Sequence, residues 1–244
     1  MIEGFAAIVR DEIRQVRTQA GVVEIGAAVT HGRLEQSPVI RAHLPHYARM
    51  THQVANVRIR NAGTLGGNLC FGDPHSDPAT YLCALDATAV CVSRAGRRVV
   101  PVGSFLQGPY VTALRADELL ATVRVPTPTP GTTVSHQKIA FHERPAVTVT
   151  CALTTALQHV TKARIAVGSV GGVPTRVHAA EDALVGIETD PVNDDLSGVA
   201  DLAAAGCDPT NDANGSIEYK RQLVRVLVAR GLRAALAEAS PEPG

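Results

Sequence analysis

Apolar and polar positions change rhythm several times along the chain, and each change marks a predicted element. Residues 22 to 29 are apolar apart from Glu24 and lie between Gly21 and Thr30, which predicts a strand. A helix is expected next. Leu44, Tyr47, Ala48, Met50, Thr51, Val54 and Val57 then recur near the 3.6-residue period and predict a helix over residues 44 to 57 with one buried face. Between residues 61 and 77 the periodicity breaks. Glycines 63, 66, 67 and 72, together with Pro74 and several polar residues, read there as a loop or a series of turns. Residues 78 to 84 fit a short helix. Residues 88 to 92 and 99 to 102 fit two strands around a turn at 93 to 98, and residues 118 to 125 fit another strand.

That last strand runs into Pro126-Thr127-Pro128-Thr129-Pro130-Gly131, a segment that can continue neither a sheet nor a helix. A boundary is expected there, giving domains 1–130 and 131–244. In the second part, β-rich runs at 146 to 157 and 163 to 170 predict an antiparallel pair, and residues 174 to 185 predict a helix. Residues 190 to 214, rich in Asp, Asn, Ala and Gly, read as irregular. Ser216 is placed to N-cap a closing helix through Ala237, with Ile217, Leu223, Val224, Leu227, Val228 and Leu232 along one side. The expected class is α+β with small mixed or antiparallel sheets rather than alternating βαβ units.

Composition narrows the function classes. The 244 residues are 45% hydrophobic and 19% charged, an ordinary balance for a folded protein. Lys plus Arg and Asp plus Glu number 23 each, so no net field draws the chain to nucleic acid or to an anionic membrane. Aromatic residues are only 3% with no Trp, which removes most of the stacking surface that single-strand binders use. Cysteines 70, 83, 91, 151 and 207 are too widely spaced for an iron–sulfur or zinc ligand set and read as reduced thiols of a cytoplasmic protein. Residues 1 to 17 are interrupted by charges and resemble no signal peptide. The most apolar stretch, 146 to 160, is too short to span a bilayer and carries four threonines, at 148, 150, 154 and 155.

Chemistry concentrates in Ile59-Arg60-Asn61-Ala62-Gly63-Thr64-Leu65-Gly66-Gly67-Asn68, followed by Pro74, Ser76 and Asp77. Glycines here permit positive φ and close backbone approach, so the amides could form a nest for a phosphate, with Thr64 and Asn68 adding donors. A glycine-rich turn of purely structural purpose reads the same way. Neither a Gly-x-Gly-x-x-Gly turn nor a P-loop is present. His43 with His46, and His136 with His142, lack a Cys, Asp or Glu to complete a metal set, and they read as surface or core histidines.

The order Ile-Arg-Asn-x-Gly-Thr-x-Gly-Gly-Asn, with Asp nine positions after the last Asn, closely resembles the flavin motif in the FAD subunit of molybdenum hydroxylases. This is the xanthine dehydrogenase and carbon monoxide dehydrogenase family. The resemblance extends to Glu24-Ile25-Gly26-Ala27-Ala28-Val29-Thr30-His31, to Thr112-Ala113-Leu114 with Asp117-Glu118-Leu119-Leu120, and to Lys138, Arg144, the strand containing Gly168, and Glu218-Tyr219-Lys220-Arg221. It implies that Thr64, Leu65, Gly66, Gly67 and Asn68 cradle FAD near its phosphates. It further implies that Asp77 bonds a ribose hydroxyl, that Leu120 packs against the cofactor, and that Lys138 approaches the flavin from the second domain, where a cation stabilises the reduced ring. From the residues alone, Asp77 reads equally as a helix cap, Leu120 as core and Lys138 as a solvated lysine.

The same resemblance implies a fold in which a FAD-binding domain precedes a small C-terminal domain with an antiparallel sheet and helices. It also implies partners: a large subunit holding molybdopterin and a small subunit holding [2Fe-2S] clusters. Family members begin with a further nucleotide-binding subdomain that carries an Ala-Gly-Gly loop. No such loop precedes Val22, and residues 9 to 16 resemble that subdomain's tail, so the first subdomain is expected to be largely missing. This leaves two expectations open: an electron-transferring flavoprotein subunit, or a flavin-free structural or interaction subunit derived from the family. A self-contained flavin oxidase of the same broad fold is a third and matches the second half less well.

Overall fold

A computed structural model of the chain describes residues 11–141, 144–189 and 196–239. The first half opens with β1 (Val16–Gln19) and β2 (Val22–Gly26). Six short helices follow: α1 (His31–Gln36), α2 (Pro38–His43), α3 (Pro45–His52), α4 (Val57–Ala62), α5 (Leu65–Phe71) and α6 (Asp77–Ala84). Next come β3 (Thr88–Ser93), β4 (Gly96–Pro101), α7 (Val102–Phe105), the small ribbon of β5 (Leu106–Gly108) and β6 (Val111–Thr112), and β7 (Leu119–Pro126). The five-stranded sheet has the order β1-β2-β7-β3-β4, and each of its pairings is antiparallel, where a mixed sheet was expected.

The second half contains β8 (Thr132–Phe141), β9 (Arg144–Ala156), β10 (His159–Gly168) and β11 (Thr175–Arg176), paired antiparallel in the order β11-β10-β9-β8. Helices α8 (His178–Asp182), α9 (Ser197–Ala205) and α10 (Ile217–Ala239) complete it. The closing helix starts where Ser216 Oγ accepts from the Tyr219 amide at 3.2 Å. Its buried stripe includes Leu223, Val224, Leu227, Val228 and Leu232, which packs against β8 and β9. Burying each such side chain contributes about 1.5–3 kcal/mol, which is what fixes this helix on the sheet.

Four stretches differ from the sequence pattern, the first being residues 44 to 57, where α3 ends at His52 and α4 begins at Val57 in place of one helix. Residues 61 to 77 are not only turns, because they contain α5. Thr64 Oγ1 caps α5 by accepting from the Gly67 amide at 3.0 Å, and Gly72 ends it at φ 65°. Seven residues are too few to show a helical period. Residues 174 to 185 hold β11 and the five-residue α8 rather than one helix, and the irregular stretch contains α9, whose apolar residues are mostly alanine. Residues 190 to 195 of that stretch lie outside the described residues.

One hydrophobic core gathers β2, β7 and the short helices, including Ile25, Leu34, Tyr47, Leu65, Leu69, Tyr81 and Val123. The other lies between α10 and the second sheet. Between them runs α6, and all eight of its residues are buried. Thr80 Oγ1 lies 2.9 Å from Thr148 Oγ1 on β9, and a Cβ added to Gly168 on β10 would come within 2.0 Å of that Thr80 oxygen. Only glycine at 168 lets α6 sit this close to the sheet.

Candidate functional site

The turn at Thr64 is fastened to the first sheet. Leu65 donates its amide to the Val29 carbonyl at 3.0 Å, and Gly66 donates to Ala27 at 2.8 Å. A Cβ on Gly66 would stand 2.5 Å from the Ala27 Cβ and 2.7 Å from its carbonyl oxygen, so this glycine serves close packing. Gly63, Gly66 and Gly67 do not take positive φ. The amides of residues 65 to 68 are all hydrogen-bonded inside the protein, the last two to Thr64. The open amide nest expected from the sequence is therefore not what this loop presents. It presents side chains and the bare surface of Gly67.

These line a cleft of about 430 Å³ where the first half meets the start of β9. Thr64, Gly67, Asn68 and Asp77 form part of its wall, with His31, Ser76, His75 and Arg144. Of the other expected residues, Leu65 is buried beneath the loop and Gly66 is packed on Ala27. Leu120 lies in the first core opposite Cys91, one position from Ala121, whose carbonyl accepts the Ala27 amide. It supports the loop's platform and does not line the cleft.

Asp77 and Lys138 meet directly. Asp77 is 5% exposed, and its Oδ2 accepts from Lys138 Nζ at 2.9 Å while its Oδ1 accepts from His136 Nε2 at 3.3 Å. Burial alone would raise its carboxyl, but the hydrogen bond and charge of His136 and the charge of Lys138 outweigh it and hold the carboxyl below the usual aspartate range. Ser76 rather than Asp77 caps α6. In the sequence His136 reads only as a surface or core histidine, with no connection to Asp77. It stands two residues before Lys138 on β8, so the strand's two-residue period puts both side chains on the face toward Asp77.

His31 begins α1 beside the glycine turn and donates its backbone amide to the Gly63 carbonyl at 3.0 Å. Its side chain lines the cleft, yet Nδ1 is buried with no hydrogen-bond partner. Burial first, and the Arg60 charge second, pull its pKa down to about 4, so the ring is neutral at physiological pH. An unsatisfied buried nitrogen costs about 1–3 kcal/mol. The far wall is braced by a chain of contacts. Lys220, fully buried, lies 2.7 Å from Asp212 Oδ2 and 2.9 Å from the Thr210 carbonyl. Asp212 faces His75 Nε2 at 4.0 Å, and His75 Nδ1 donates to the Pro145 carbonyl at 2.8 Å.

The residues present suit a dinucleotide. The wall combines a hydroxyl, a carboxamide, an unpartnered imidazole and a glycine surface, with apolar Val54, Ala55, Ile59 and Phe71 alongside for a flat ring.

Both halves of the chain match known proteins. Residues 9–128 match the FAD binding domain in molybdopterin dehydrogenase, and residues 137–235 match the CO dehydrogenase flavoprotein C-terminal domain. The chain is 31% identical over 231 residues to the carbon monoxide dehydrogenase medium chain of Hydrogenophaga pseudoflava, covering 93% of this chain and 79% of that one. It is 34% identical over 208 residues to the nicotine 6-hydroxylase medium subunit of Paenarthrobacter nicotinovorans, covering 85% and 73%. A solved carbon monoxide dehydrogenase from Hydrogenophaga pseudoflava superposes with a TM-score of 0.89 at 31% identity, over 94% of this chain and 80% of that chain. With both halves matched and identity above 30% over nearly its whole length, the chain belongs to the family of FAD-binding medium subunits of molybdenum hydroxylases.

Proposed function

We propose that the cleft beside Thr64, Gly67, Asn68 and Asp77 holds FAD, and that the chain is the electron-transferring flavoprotein subunit of a molybdenum hydroxylase. The observation that carries this reading is the convergence of Thr64, Gly67, Asn68 and Asp77 on one cleft, with Lys138 of the second half paired to Asp77. Bound FAD would accept electrons from the iron–sulfur clusters of a small partner subunit, fed by a molybdopterin-bearing large subunit, and pass them to an external acceptor.

The chain's own residues supply the surroundings. Thr64 and Asn68 offer donors to the cofactor's polar backbone. Leu65, Gly66 and Leu120 set the height of that loop against the sheet. Asp77 and Lys138 act as one paired unit, so a ribose hydroxyl takes up an oxygen of a carboxylate already oriented by Lys138 and His136. We also assign residues 1–130 to the FAD-binding domain and 131–244 to the C-terminal domain, and place the complex in the cytoplasm. No helix among the described residues is long and apolar enough to cross a membrane. Nothing found favours the flavin-free alternative.

Equilibrium dialysis of FAD against the chain and its Asp77→Ala variant tests the assignment. The expected outcome is one flavin per chain for wild type, with affinity reduced about tenfold or more in the variant. Equal affinity would remove Asp77 and its partner Lys138 from the site.

A further inference from the structure

We propose that His31 is a cofactor-contacting residue whose imidazole donates from Nδ1 to an oxygen of the dinucleotide's diphosphate. This rests on the flavin reading above. The ring is 2% exposed, it lines the cleft, and its Nδ1 is a buried polar atom without a partner. Buried polar atoms are satisfied as a rule, so an exception on a cleft wall points to a ligand that completes it.

The backbone around His31 is built to hold the ring in place. Thr30 Oγ1 accepts from the Arg33 amide, Thr30 pairs with Thr64, and the His31 amide is tied to Gly63. A Cβ on Gly63 would lie 2.9 Å from the Ile59 carbonyl oxygen, so glycine there lets α4 end beside the ring.

The neighbouring groups choose the ligand's chemistry. Thr64 Oγ1 accepts from the Gly67 amide, so its own hydrogen is the part left to offer. Asn68 Oδ1 accepts from Ser76 Oγ at 2.6 Å, which leaves its NH₂. With His31 Nδ1 these are convergent donors. The cleft's carboxylates, Asp73 and Asp77, are matched by Arg144 at 3.0 Å and Lys138 at 2.9 Å. A donor-rich corner with neutralised acids fits the oxygens of a diphosphate. Burial first, and the charge of Arg60 second, keep the imidazole neutral; Glu35 braces Arg60 at 3.2 Å.

The experiment is calorimetric titration of the full chain, wild type, His31→Leu and His31→Asn, with FAD, ADP and riboflavin, alongside thermal unfolding without ligand. Wild type is expected to bind FAD. His31→Leu should weaken FAD and ADP about tenfold and leave riboflavin unchanged, because riboflavin lacks the diphosphate. His31→Asn, whose amide reaches the position of Nδ1, should keep FAD affinity within about threefold. Without ligand, His31→Leu should unfold at the wild-type temperature or above it, since an unsatisfied polar atom has been removed. Unchanged FAD affinity in His31→Leu, equal weakening of riboflavin, or a lower unfolding temperature without ligand would each overturn the assignment. Wild type that binds neither FAD nor ADP would overturn the flavin reading itself, and this assignment with it.

Discussion

At the residue scale the account turns on Asp77. Its carboxylate accepts from Lys138 and His136 in a nearly dry place, so truncation strands the Lys138 cation. Asp77→Ala is expected to lower stability by about 2–3 kcal/mol, below the full cost of breaking a buried pair because the Lys138 side chain retains some solvent contact. Urea unfolding at pH 7 measures this. The pH dependence has a definite sign. A carboxyl held below its unfolded value of about 3.9 contributes stability above that pH and loses it as pH falls through the lower, folded value. The stability gap between wild type and Asp77→Asn should therefore be full at pH 6 and shrink from about pH 4 downward. A constant gap across that range would show that the charge of Asp77 does not matter to the fold. Sequence motifs made Asp77 and Lys138 legible separately. Their pairing was not, because residues 61 positions apart meet only through tertiary packing.

At the scale of elements, the critical piece is the seven-residue α5 and its seat on Ala27 and Val29. Gly66→Ala would drive a methyl into the Ala27 backbone and break both seating hydrogen bonds. It should cost about 1–3 kcal/mol and weaken FAD binding by more than tenfold while the far-ultraviolet circular dichroism stays close to wild type. Flavin affinity unchanged in that variant would detach the loop's seating from its function. Among the long elements β9, β10 and α10 were readable in advance, because they carry enough apolar positions to display a period, whereas the ten-residue β8 was not. Of the short ones, α6 and the β3–β4 hairpin were readable, and α5, α8 and β11 were not. Within residues 61 to 77 the glycines suggested positive φ and free amides, whereas they permit close packing and the amides of residues 65 to 68 are bonded internally. Only partner atoms distinguish those two uses of glycine, and a sequence does not display them.

At the scale of the whole molecule, α6 links the two cores. It carries Asp77 at its start, packs Tyr81 and Leu82 into the first core, and meets the second sheet at Gly168 and Thr148. Because one buried helix serves both, unfolding is expected as a single calorimetric transition, and two resolved transitions would show the halves to be independent. Gly168→Ala should lower that transition by about 2–4 °C for each kcal/mol of strain. Bound flavin should raise it, by about 2.7 kcal/mol of added stability at a hundredfold excess over the dissociation constant.

The most direct test of the central claim is an absorption titration of FAD with the purified, folded chain. The account predicts a saturable shift in the flavin bands with one FAD per chain, diminished in Asp77→Ala. A folded chain that leaves the spectrum of free FAD unaltered throughout the titration would contradict it.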